Sequence, residues 1–361
     1  RGRIGPRDPL VTAGSGSSRL RVLMPSRFVD RHVGGNTTYA RYIATGLEAR
    51  GVPVGRIAAA SHPVATAALE TAAGLRRHAA GDVLHYVGDT GPLLGTRTPT
   101  VVTVHGVASR WIDVARRPAQ EKAWRFRVGR AISAADHVIT VSNSSARDVA
   151  EVFGVEPERL TTIEHGIDVE RFSTPVELSA EVRAKLPERF ALYLGNIEPR
   201  KNLVSLVRAF ATPEVRALGL PLVIAGKAAW NADDSLGEIR DSPDVISLGF
   251  VSDEDRAALM QACEVFLFPS LYEGFGFPVL EALAAGAVVA TSDRGSLAEV
   301  AGPSLRLPGL EPEAIAAGIV SAVTDETARA QCRAEGLAWA SRFTWDASVD
   351  KHLEVYRRVL R

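Results

Sequence analysis

Two glutamates eight residues apart form the most informative polar pair in this sequence. Glu273 and Glu281 flank a Gly-Phe-Gly-Phe-Pro loop that follows the apolar run 265–270 and opens the apolar segment 278–286. Pro278 suits a first helical turn, where its missing amide hydrogen needs no partner and neighbouring amides stay free for a ligand. A single glutamate near a helix start is more often a partner of the helix dipole. The pair, with one carboxylate on the loop and one on the helix, predicts a hydroxyl-rich or anionic ligand.

A cationic pair follows another predicted strand. Arg200 and Lys201 lie in the segment 195–202, between the apolar run 189–195 and the helix-like segment 203–210. Adjacent cations at a helix N-terminus repel the positive end of the helix dipole unless an anion is bound. Lysine supplies a compact charge and arginine a planar fork for phosphate oxygens. An isolated pair is as often a solvated loop, but at a strand-to-helix turn it predicts a diphosphate site.

Two weaker signals lie in the first half of the chain. Gly34 and Gly35 precede a predicted helix and expose backbone amides there, although most glycine pairs are turns. They do not form the G-x-G-x-x-G fingerprint, and no acidic residue ends a second strand at the usual distance, so a nicotinamide dehydrogenase is disfavoured. His105 ends a predicted strand at the carboxyl edge, where structural and functional roles are about equally common. We interpret His165, at the end of another strand, as structural.

Asp253 and Asp255 have the D-x-D spacing that some enzymes use to hold a nucleotide-bound metal ion. Ser252 precedes them and an apolar helical segment follows, which is typical of a helix N-cap with acidic residues in its first turn. We therefore predict a cap at this position and no metal site.

The elements that must position these residues alternate regularly along the chain. Short apolar runs are separated by helix-length amphipathic segments, which predicts parallel sheets of the α/β class. The rhythm restarts at residue 189 after losing its periodicity near Pro175, so we expect two doubly wound domains facing one another across a cleft. The predicted boundaries are a flexible leader at 1–18, domains at 19–172 and 173–342, and a C-terminal helix at 343–361 that packs back across the boundary.

Length and composition agree with this organisation. The 361 residues exceed one ordinary core, and 46 % hydrophobic with 23 % charged residues exclude a disordered or fibrous chain. No apolar stretch reaches the roughly 18 to 20 residues of a membrane span, and there is no apolar core of a secretion signal, so we expect a cytoplasmic protein. With only Cys263 and Cys332 present, neither a disulfide framework nor a zinc site is expected.

Charge is balanced overall and uneven between the halves. Lys+Arg and Asp+Glu both total 42, which weakens a nucleic-acid role, but residues 1–172 hold 23 Lys+Arg against 16 Asp+Glu. That half either faces an anionic partner or shows ordinary surface variation. The helical segment 118–134 adds four cations beside Trp124 and Phe126, namely Lys122, Arg125, Arg127 and Arg130, of which Arg127 does not share a face with the others. Peripheral contact with an anionic membrane is one interpretation, and a solvated helix face over a core is the more common one.

These motifs resemble the family 4 retaining glycosyltransferases of the GT-B fold. The strand, Glu273, the glycine loop and Glu281 look like the family's E-x7-E element, and further family segments occur in order from about Leu20. The segments EPRKN, GKAAW and LYEGFGFPVLEA are most similar to bacterial mannosyltransferase-like members. One departure is Asn196, which stands where the family commonly has an arginine, and Arg200 is expected to take over that charge.

The resemblance implies two Rossmann-like domains and transfer of a hexose from a nucleotide-diphosphate sugar. GDP-mannose is the first expectation, and UDP-glucose or UDP-N-acetylglucosamine comes next. The acceptor would be a hydroxyl on a glycan, a lipid-linked sugar or a natural product. No cofactor or metal is expected beside this co-substrate. The catalytic residues implied are His105, Glu273, Arg200 and Lys201. The donor-binding residues implied are Gly34, Gly35, Arg200, Lys201, Glu273, Phe275, Gly276, Phe277 and Glu281.

Two other functions stay open from the sequence. A GT-B-like sugar-nucleotide epimerase would use a similar cleft and release nucleotide without an acceptor. A non-catalytic nucleotide-binding protein would keep the phosphate site without turnover. Product analysis separates the three.

Overall fold

Two six-stranded parallel sheets form the framework of this computed structural model, which describes residues 20–30, 34–112 and 118–361. The predicted leader at 1–18 lies outside the described residues. The first sheet contains β1 (Arg21–Pro25), β2 (Val54–Ile57), β3 (Asp82–Tyr86), β4 (Thr100–Val104), β5 (His137–Thr140) and β6 (Leu160–Thr162). Their order across the sheet is β2-β1-β3-β4-β5-β6, and every pair is parallel.

The helices of the first half lie on both faces of this sheet. They are α1 (Ser26–Val29), α2 (Gly35–Ala49), α3 (Pro63–Leu75), α4 (Pro118–Ala134) and α5 (Asn143–Phe153). Alternate strand residues point to opposite faces of the sheet. Val22 and Val83 pack in the hydrophobic core that contains α2, whereas Leu23 and Leu84 pack in the hydrophobic core that contains α4 and α5. A parallel sheet covered on both faces needs continuous apolar strands, which explains why every residue of β3 and β4 is buried.

The second sheet contains β7 (Ala191–Leu194), β8 (Leu222–Ala225), β9 (Val245–Gly249), β10 (Val265–Phe268), β11 (Val289–Thr291) and β12 (Leu305–Arg306). Its order is β12-β11-β10-β7-β8-β9, again with parallel pairing. One continuous core joins this sheet to the helices around it. Cys263 and Cys332 are both buried in it as free thiols.

Helices before, within and after the second sheet complete the fold. They are α6 (Val169–Ser173), α7 (Ala180–Arg183), α8 (Leu203–Phe210), α9 (Pro213–Arg216), α10 (Asp233–Asp241), α11 (Asp253–Ala262), α12 (Phe277–Ala284), α13 (Leu297–Val300), α14 (Pro312–Thr324), α15 (Glu326–Ala340) and α16 (Trp345–Val359). The last helix, α16, begins after the N-cap Thr344 and packs against α2, with Val349 and Leu353 in the core of the first half.

Two local features bear on expectations from the sequence. The Ser252 hydroxyl accepts the amide of Asp255 at 3.0 Å, so the predicted N-cap of α11 is confirmed. The Asp255 carboxylate in turn accepts the Ser179 amide at 2.8 Å. Among the described residues, no helix is long and apolar enough to cross a membrane, and no group of His, Cys, Asp and Glu is arranged to hold a metal ion.

Candidate functional site

The candidate site lies where the order of the second sheet reverses. β7 and β10 are neighbours, although the chain forms β8 and β9 between them. The crevice outside the carboxyl ends of such a strand pair is the usual ligand site of an open α/β sheet. The segment after β7 carries Arg200 and Lys201, and the segment after β10 carries Glu273. A hydrogen bond from the Leu271 amide to the Arg200 carbonyl at 2.9 Å ties the two segments together.

Four charged side chains form a closed cluster in this crevice. Glu273 accepts from Lys201 Nζ and from Arg200 Nη1, each at 2.6 Å, through its two carboxylate oxygens. The other nitrogen of the Arg200 fork, Nη2, lies 2.5 Å from Glu198 Oε1. The two cations thus meet carboxylates of the chain itself. Our expectation that only a bound anion relieves their repulsion was wrong, because it did not include Glu198 and Glu273 as partners.

The electrostatics of the cluster keep Glu273 ionised. Burial works to raise the Glu273 pKa, but Arg200 and Lys201 outweigh it and hold that pKa at about 2. Burial and the neighbouring Arg200 charge lower the pKa of Lys201, against the opposing effect of Glu273. Burial also acts to lower the pKa of Arg200, yet the carboxylates of Glu273 and Glu198 raise it overall. The site is therefore charged before any ligand arrives, which is the arrangement that electrostatic stabilisation of a leaving anion requires.

The glycine loop between Glu273 and α12 is shaped by close contact with the first half of the chain. A side chain at Gly274 would collide with the His105 carbonyl oxygen. Gly276 has φ +108°, a conformation that favours glycine, and it precedes α12 directly. Within the described part of the chain, the amides of Phe275, Gly276 and Phe277 donate to no protein acceptor. These free donors point to a polar or anionic ligand at the start of α12.

Glu281 lies on α12 and is 7 % exposed. It forms an ion pair with Arg256 of α11. Burial raises its pKa, and the Arg256 guanidinium opposes that rise. The predicted hydroxyl acceptor therefore has an internal cationic partner, which a ligand would have to displace or share.

The predicted residues of the first half meet the glycine loop from the opposite side. The α-carbon of Gly35 is close enough to Phe277 that an added Cβ would lie 3.8 Å from its ring, and Gly34 precedes it at the start of α2. His105 Nε2 lies 2.9 Å from the Val87 carbonyl, and its amide donates to Asp89. His165, which we interpreted as structural, stacks on Phe277 with ring centroids 4.9 Å apart and lies 5.5 Å from His105. Gly35, His105 and Phe277 thus lie close to the loop that carries Glu273, whereas Glu281 lies on α12 and faces Arg256 of α11.

Sequence comparison matches each half of the chain to a known family. A family described as "Glycosyltransferase Family 4" matches residues 33–171, and "Glycosyl transferases group 1" matches residues 177–339. The chain belongs to glycosyltransferase family 4. The two matches meet between residues 171 and 177, at the segment that joins the two sheets.

Curated relatives of this family 4 chain include bacterial mannosyltransferases. The chain is 32 % identical over 235 residues to O-antigen chain mannosyltransferase B of Escherichia coli, covering 63 % of this chain and 61 % of that protein. It is 34 % identical over 218 residues to the MMP alpha-(1->4)-mannosyltransferase of Mycolicibacterium hassiacum, covering 57 % of this chain and 51 % of that protein. For the serotype-specific mannosyltransferase WbdA of Escherichia coli, the match covers 29 % of that protein. The chain thus spans less than two thirds of each of these relatives.

Solved structures confirm the predicted GT-B fold. Sucrose-phosphate synthase from Thermosynechococcus elongatus superposes with a TM-score of 0.71 at 19 % identity, covering 94 % of this chain and 99 % of that chain. Anabaena HepE in complex with UDP and glucose gives 0.69 at 18 % identity, covering 94 % and 100 %. At these identities the likeness concerns the fold alone.

Three side chains of the candidate site were not predicted from the sequence. Glu198 lies in the quoted segment, but a glutamate before proline looks like an ordinary turn residue. Arg256 is 25 positions from its partner Glu281, and no local pattern links them. Tyr272 donates to Asp148 Oδ2 at 3.0 Å and accepts the Val107 amide at 3.1 Å, so it joins the two halves directly beside Glu273. The only feature of the sequence that could have drawn attention to Tyr272 was its position next to Glu273.

Proposed function

We propose that this chain is a retaining, metal-independent hexosyltransferase that uses a nucleotide-diphosphate sugar. The observation that carries the proposal is the charged cluster of Arg200, Lys201 and Glu273 at the switch point, beside the free amides that open α12. GDP-mannose is the first donor we propose, because several relatives are named mannosyltransferases. UDP-glucose and UDP-N-acetylglucosamine come next; HepE, which has the same fold, was solved in complex with UDP-glucose.

In this mechanism Arg200 and Lys201 stabilise the diphosphate as it departs. The bond between sugar C1 and the phosphate oxygen breaks, and the acceptor oxygen bonds to C1 from the same face. The acceptor proton passes to the leaving phosphate. Preorganised charge in a closed cleft supplies this stabilisation without reorganisation at the moment of reaction.

The remaining residues position the donor. Glu273 and the amides of Phe275, Gly276 and Phe277 hold sugar hydroxyls, and Glu281 accepts from the ribose after releasing Arg256. Gly34 and Gly35 let the backbone of α2 approach the donor phosphate. His105, fixed by Val87 and Asp89, lies beside the sugar.

Membrane contact through α4 is a separate proposal, and the cations of this helix give it little support. Arg125 pairs with Glu121 at 2.6 Å, and Arg130 donates to the Leu93 carbonyl at 2.8 Å. Phe126, 62 % exposed, and the exposed Lys122 are the groups left for a membrane surface.

The decisive experiment is a thermal-shift series on the full chain with GDP, UDP, ADP and TDP and their common sugar conjugates. A ligand at 100 times its Kd adds about 2.7 kcal/mol of apparent stability, so binding of one nucleotide should raise Tm clearly. We expect Lys201→Ala to abolish this shift and Lys185→Ala, an exposed control that pairs with Glu181, to keep it. No shift with any nucleotide, or an unchanged shift in Lys201→Ala, would contradict the site assignment.

Turnover then tests the residue roles and the reaction class. Arg200→Ala, Lys201→Ala and Glu281→Ala should each lower turnover, by about 10²-fold or more for the diphosphate contacts, as for other preorganised donors. Wild-type kinetics in all three would overturn the mechanism. Free nucleotide released with an epimerised sugar and no acceptor product would identify the epimerase instead.

A further inference from the structure

The first sheet has a switch point of its own. β1 lies between β2 and β3, because the chain goes from β1 to β2 on one side and returns to β3 on the other. The crevice outside the carboxyl ends of β1 and β3 is therefore the counterpart of the crevice that holds Arg200 and Lys201. Arg27 lies in α1, just after β1, and Thr90 lies in the segment between β3 and β4.

A buried carboxylate and two arginines meet there. Arg27 donates through Nε to Glu70 Oε1 and through Nη2 to Thr90 Oγ1, both at 2.9 Å. Arg127 Nη2, from α4, lies 3.8 Å from Glu70 Oε2, which is too far for a hydrogen bond. Glu70, on α3, is completely buried. We call Arg27, Glu70, Thr90 and Arg127 the β1–β3 cluster.

The β1–β3 cluster is incomplete as it stands. Throughout the described ranges, Glu70 Oε2 and the Arg127 atoms Nε and Nη2 have no hydrogen-bond partner, although all three atoms are buried. Buried donors without acceptors are rare, because each loses its hydration without compensation. Two guanidinium groups also face a single carboxylate, which leaves excess positive charge. An acceptor with negative charge would satisfy the two Arg127 donors and offset the excess positive charge, although it would not supply a donor to Glu70 Oε2.

The two arginine side chains are partly exposed, although Nε and Nη2 of Arg127 lie beneath the surface. The side chains of Arg27 and Arg127 keep 24 % and 27 % of their surface exposed, while Glu70 lies beneath them. The guanidinium fork matches the oxygens of a phosphate, and Glu70 holds Arg27 in place for such a contact. The excess of Lys+Arg over Asp+Glu in residues 1–172 favours an anion on this half of the chain.

A short series of contacts connects the cluster with the proposed donor site. Thr90 follows Asp89, a non-glycine residue with φ +57° whose carboxylate accepts the His105 amide at 2.7 Å. The His105 carbonyl oxygen packs directly on Gly274, next to Glu273. Asp89 and His105 therefore connect the β1–β3 cluster with the loop that carries Glu273.

We propose that the β1–β3 cluster binds a phosphate group of the acceptor, so that the acceptor is a phosphorylated hydroxyl compound. This inference rests on the proposed glycosyl transfer and names its acceptor class. The phosphate stays intact and serves as an anchor, while a hydroxyl elsewhere on the same molecule forms the new bond to C1. A soluble sugar phosphate and a phosphate-bearing lipid share this chemistry.

The test measures acceptor binding with the donor site already filled. The full chain is saturated with the nucleotide that raises its Tm, and mannose 6-phosphate and mannose are titrated by calorimetry. We expect mannose 6-phosphate to bind and mannose to bind at least about tenfold more weakly, since charge-assisted bonds to phosphate are lost. A parallel arm uses phosphatidylcholine vesicles with and without phosphatidic acid; the arm that binds identifies the source of the phosphate.

Variants separate this inference from the proposed function. Arg127→Gln should weaken binding of the phosphate probe at least about tenfold, Arg127→Lys should give an intermediate Kd, and Arg125→Gln on the same helix should leave it unchanged. We choose Arg127 because it makes no hydrogen bond whose loss would endanger folding, whereas loss of Arg27 would strand the buried Glu70. Arg127→Gln should keep the nucleotide shift that Lys201→Ala loses.

Two outcomes would overturn the inference. One is a phosphate probe that binds neither as a sugar nor in vesicles while the nucleotide still binds. The other is unchanged probe affinity in Arg127→Gln. Failure of the proposed function looks different, because then no nucleotide shifts Tm in the wild-type chain.

Discussion

Glu198 holds one side of the Arg200 guanidinium, and Glu273 holds the other. With Lys201, these residues form a cluster of two positive and two negative charges. A diphosphate that binds here as proposed must compete with both carboxylates for the same cations. The Glu198 carboxylate forms its ion pair with Arg200, so Glu198 is a positioning residue that acts mainly through Arg200 and moderates the proposed affinity for the diphosphate.

Glu198→Gln should therefore tighten nucleotide binding. Removing one negative charge from the buried cluster gives it an excess positive charge, and we expect Kd for the nucleoside diphosphate to fall by about three- to tenfold, or roughly 1 kcal/mol. The dependence of Kd on salt should steepen at the same time. Calorimetry at two salt concentrations measures both, with the exposed Glu188→Gln as control. Weaker binding in Glu198→Gln would show instead that Glu198 orients Arg200 for the ligand.

Residue types and spacing predicted part of this site. Glu273 and Lys201 stand out because each follows an apolar run and precedes a helix, and parallel strands bring such positions to one edge. The partners of the charged side chains could not be predicted from the sequence. Arg256 reaches Glu281 only because α11 packs beside α12, and Glu70 meets Arg127 across 57 positions of the chain. Pairing at such separations depends on helix packing, which no local pattern encodes.

At the scale of elements, a buried chain of hydrogen bonds joins α16 to the first sheet. Tyr356 lies 2.7 Å from His85 Nδ1, His85 Nε2 lies 2.8 Å from Thr103, and Thr103 lies 2.9 Å from Tyr39. Tyr39 in turn lies 2.7 Å from His352 Nε2, and His352 Nδ1 lies 2.7 Å from the Ser348 carbonyl. Because a carbonyl can only accept, Nδ1 of His352 donates to Ser348. With this direction fixed, each hydroxyl and each imidazole in the series donates one hydrogen bond to the next group. Both imidazoles are neutral in this arrangement.

This network should make α16 sensitive to acid. Burial lowers the His352 pKa from 6.5 to about 4, so between these values the unfolded chain binds more protons than the folded one. Stability from this group is therefore present above about pH 6.5 and is lost as the pH falls toward 4. From pH 7 to pH 5 the loss is about 2 kcal/mol for one such histidine.

His352→Gln should remove that component. We expect the free energy of unfolding in urea to fall by about 2 kcal/mol less between pH 7 and pH 5 in the variant than in the wild-type chain. His62→Gln, an exposed control at the start of α3, should retain the wild-type dependence. Equal pH slopes in His352→Gln and wild type would mean that His352 is not the titrating group.

The elements themselves were predicted unevenly, for a physical reason. Central strands such as β4 and β10 are buried on both faces and give continuous apolar runs. β2 and β12 lie at the sheet edges with partly exposed residues, and β12 has only two residues, so neither gave a readable run. The amphipathic pattern of α16 predicts a helix, but its place against α2 depends on which apolar surface is left uncovered.

At the scale of the whole molecule, the two halves are joined by polar contacts around the cleft. The Glu299 carboxylate, next to the second sheet, accepts the Ser144 amide at 2.8 Å and Asn143 Nδ2 at 2.9 Å, at the N-terminus of α5. The Ser142 hydroxyl donates to the Gly274 carbonyl at 2.8 Å. These contacts bring the start of α5 directly to the glycine loop, so separation of the halves would open the proposed donor site.

Glu299 therefore favours the closed arrangement through the dipole of α5. A carboxylate at a helix N-terminus contributes about 0.3 to 1 kcal/mol, so Glu299→Gln should shift an open–closed equilibrium by roughly two- to fivefold toward the open state. We expect a larger radius of gyration in X-ray scattering for ligand-free Glu299→Gln than for wild type, and recovery when nucleotide binds both sides of the cleft. Glu354→Gln, an exposed change on α16, should scatter like wild type. Because closure and donor binding are linked, Glu299→Gln should also bind nucleotide more weakly, in proportion to the shift of the open–closed equilibrium. If the scattering profiles of wild type and Glu299→Gln stay identical with and without nucleotide, the halves do not move and Glu299 only caps a helix.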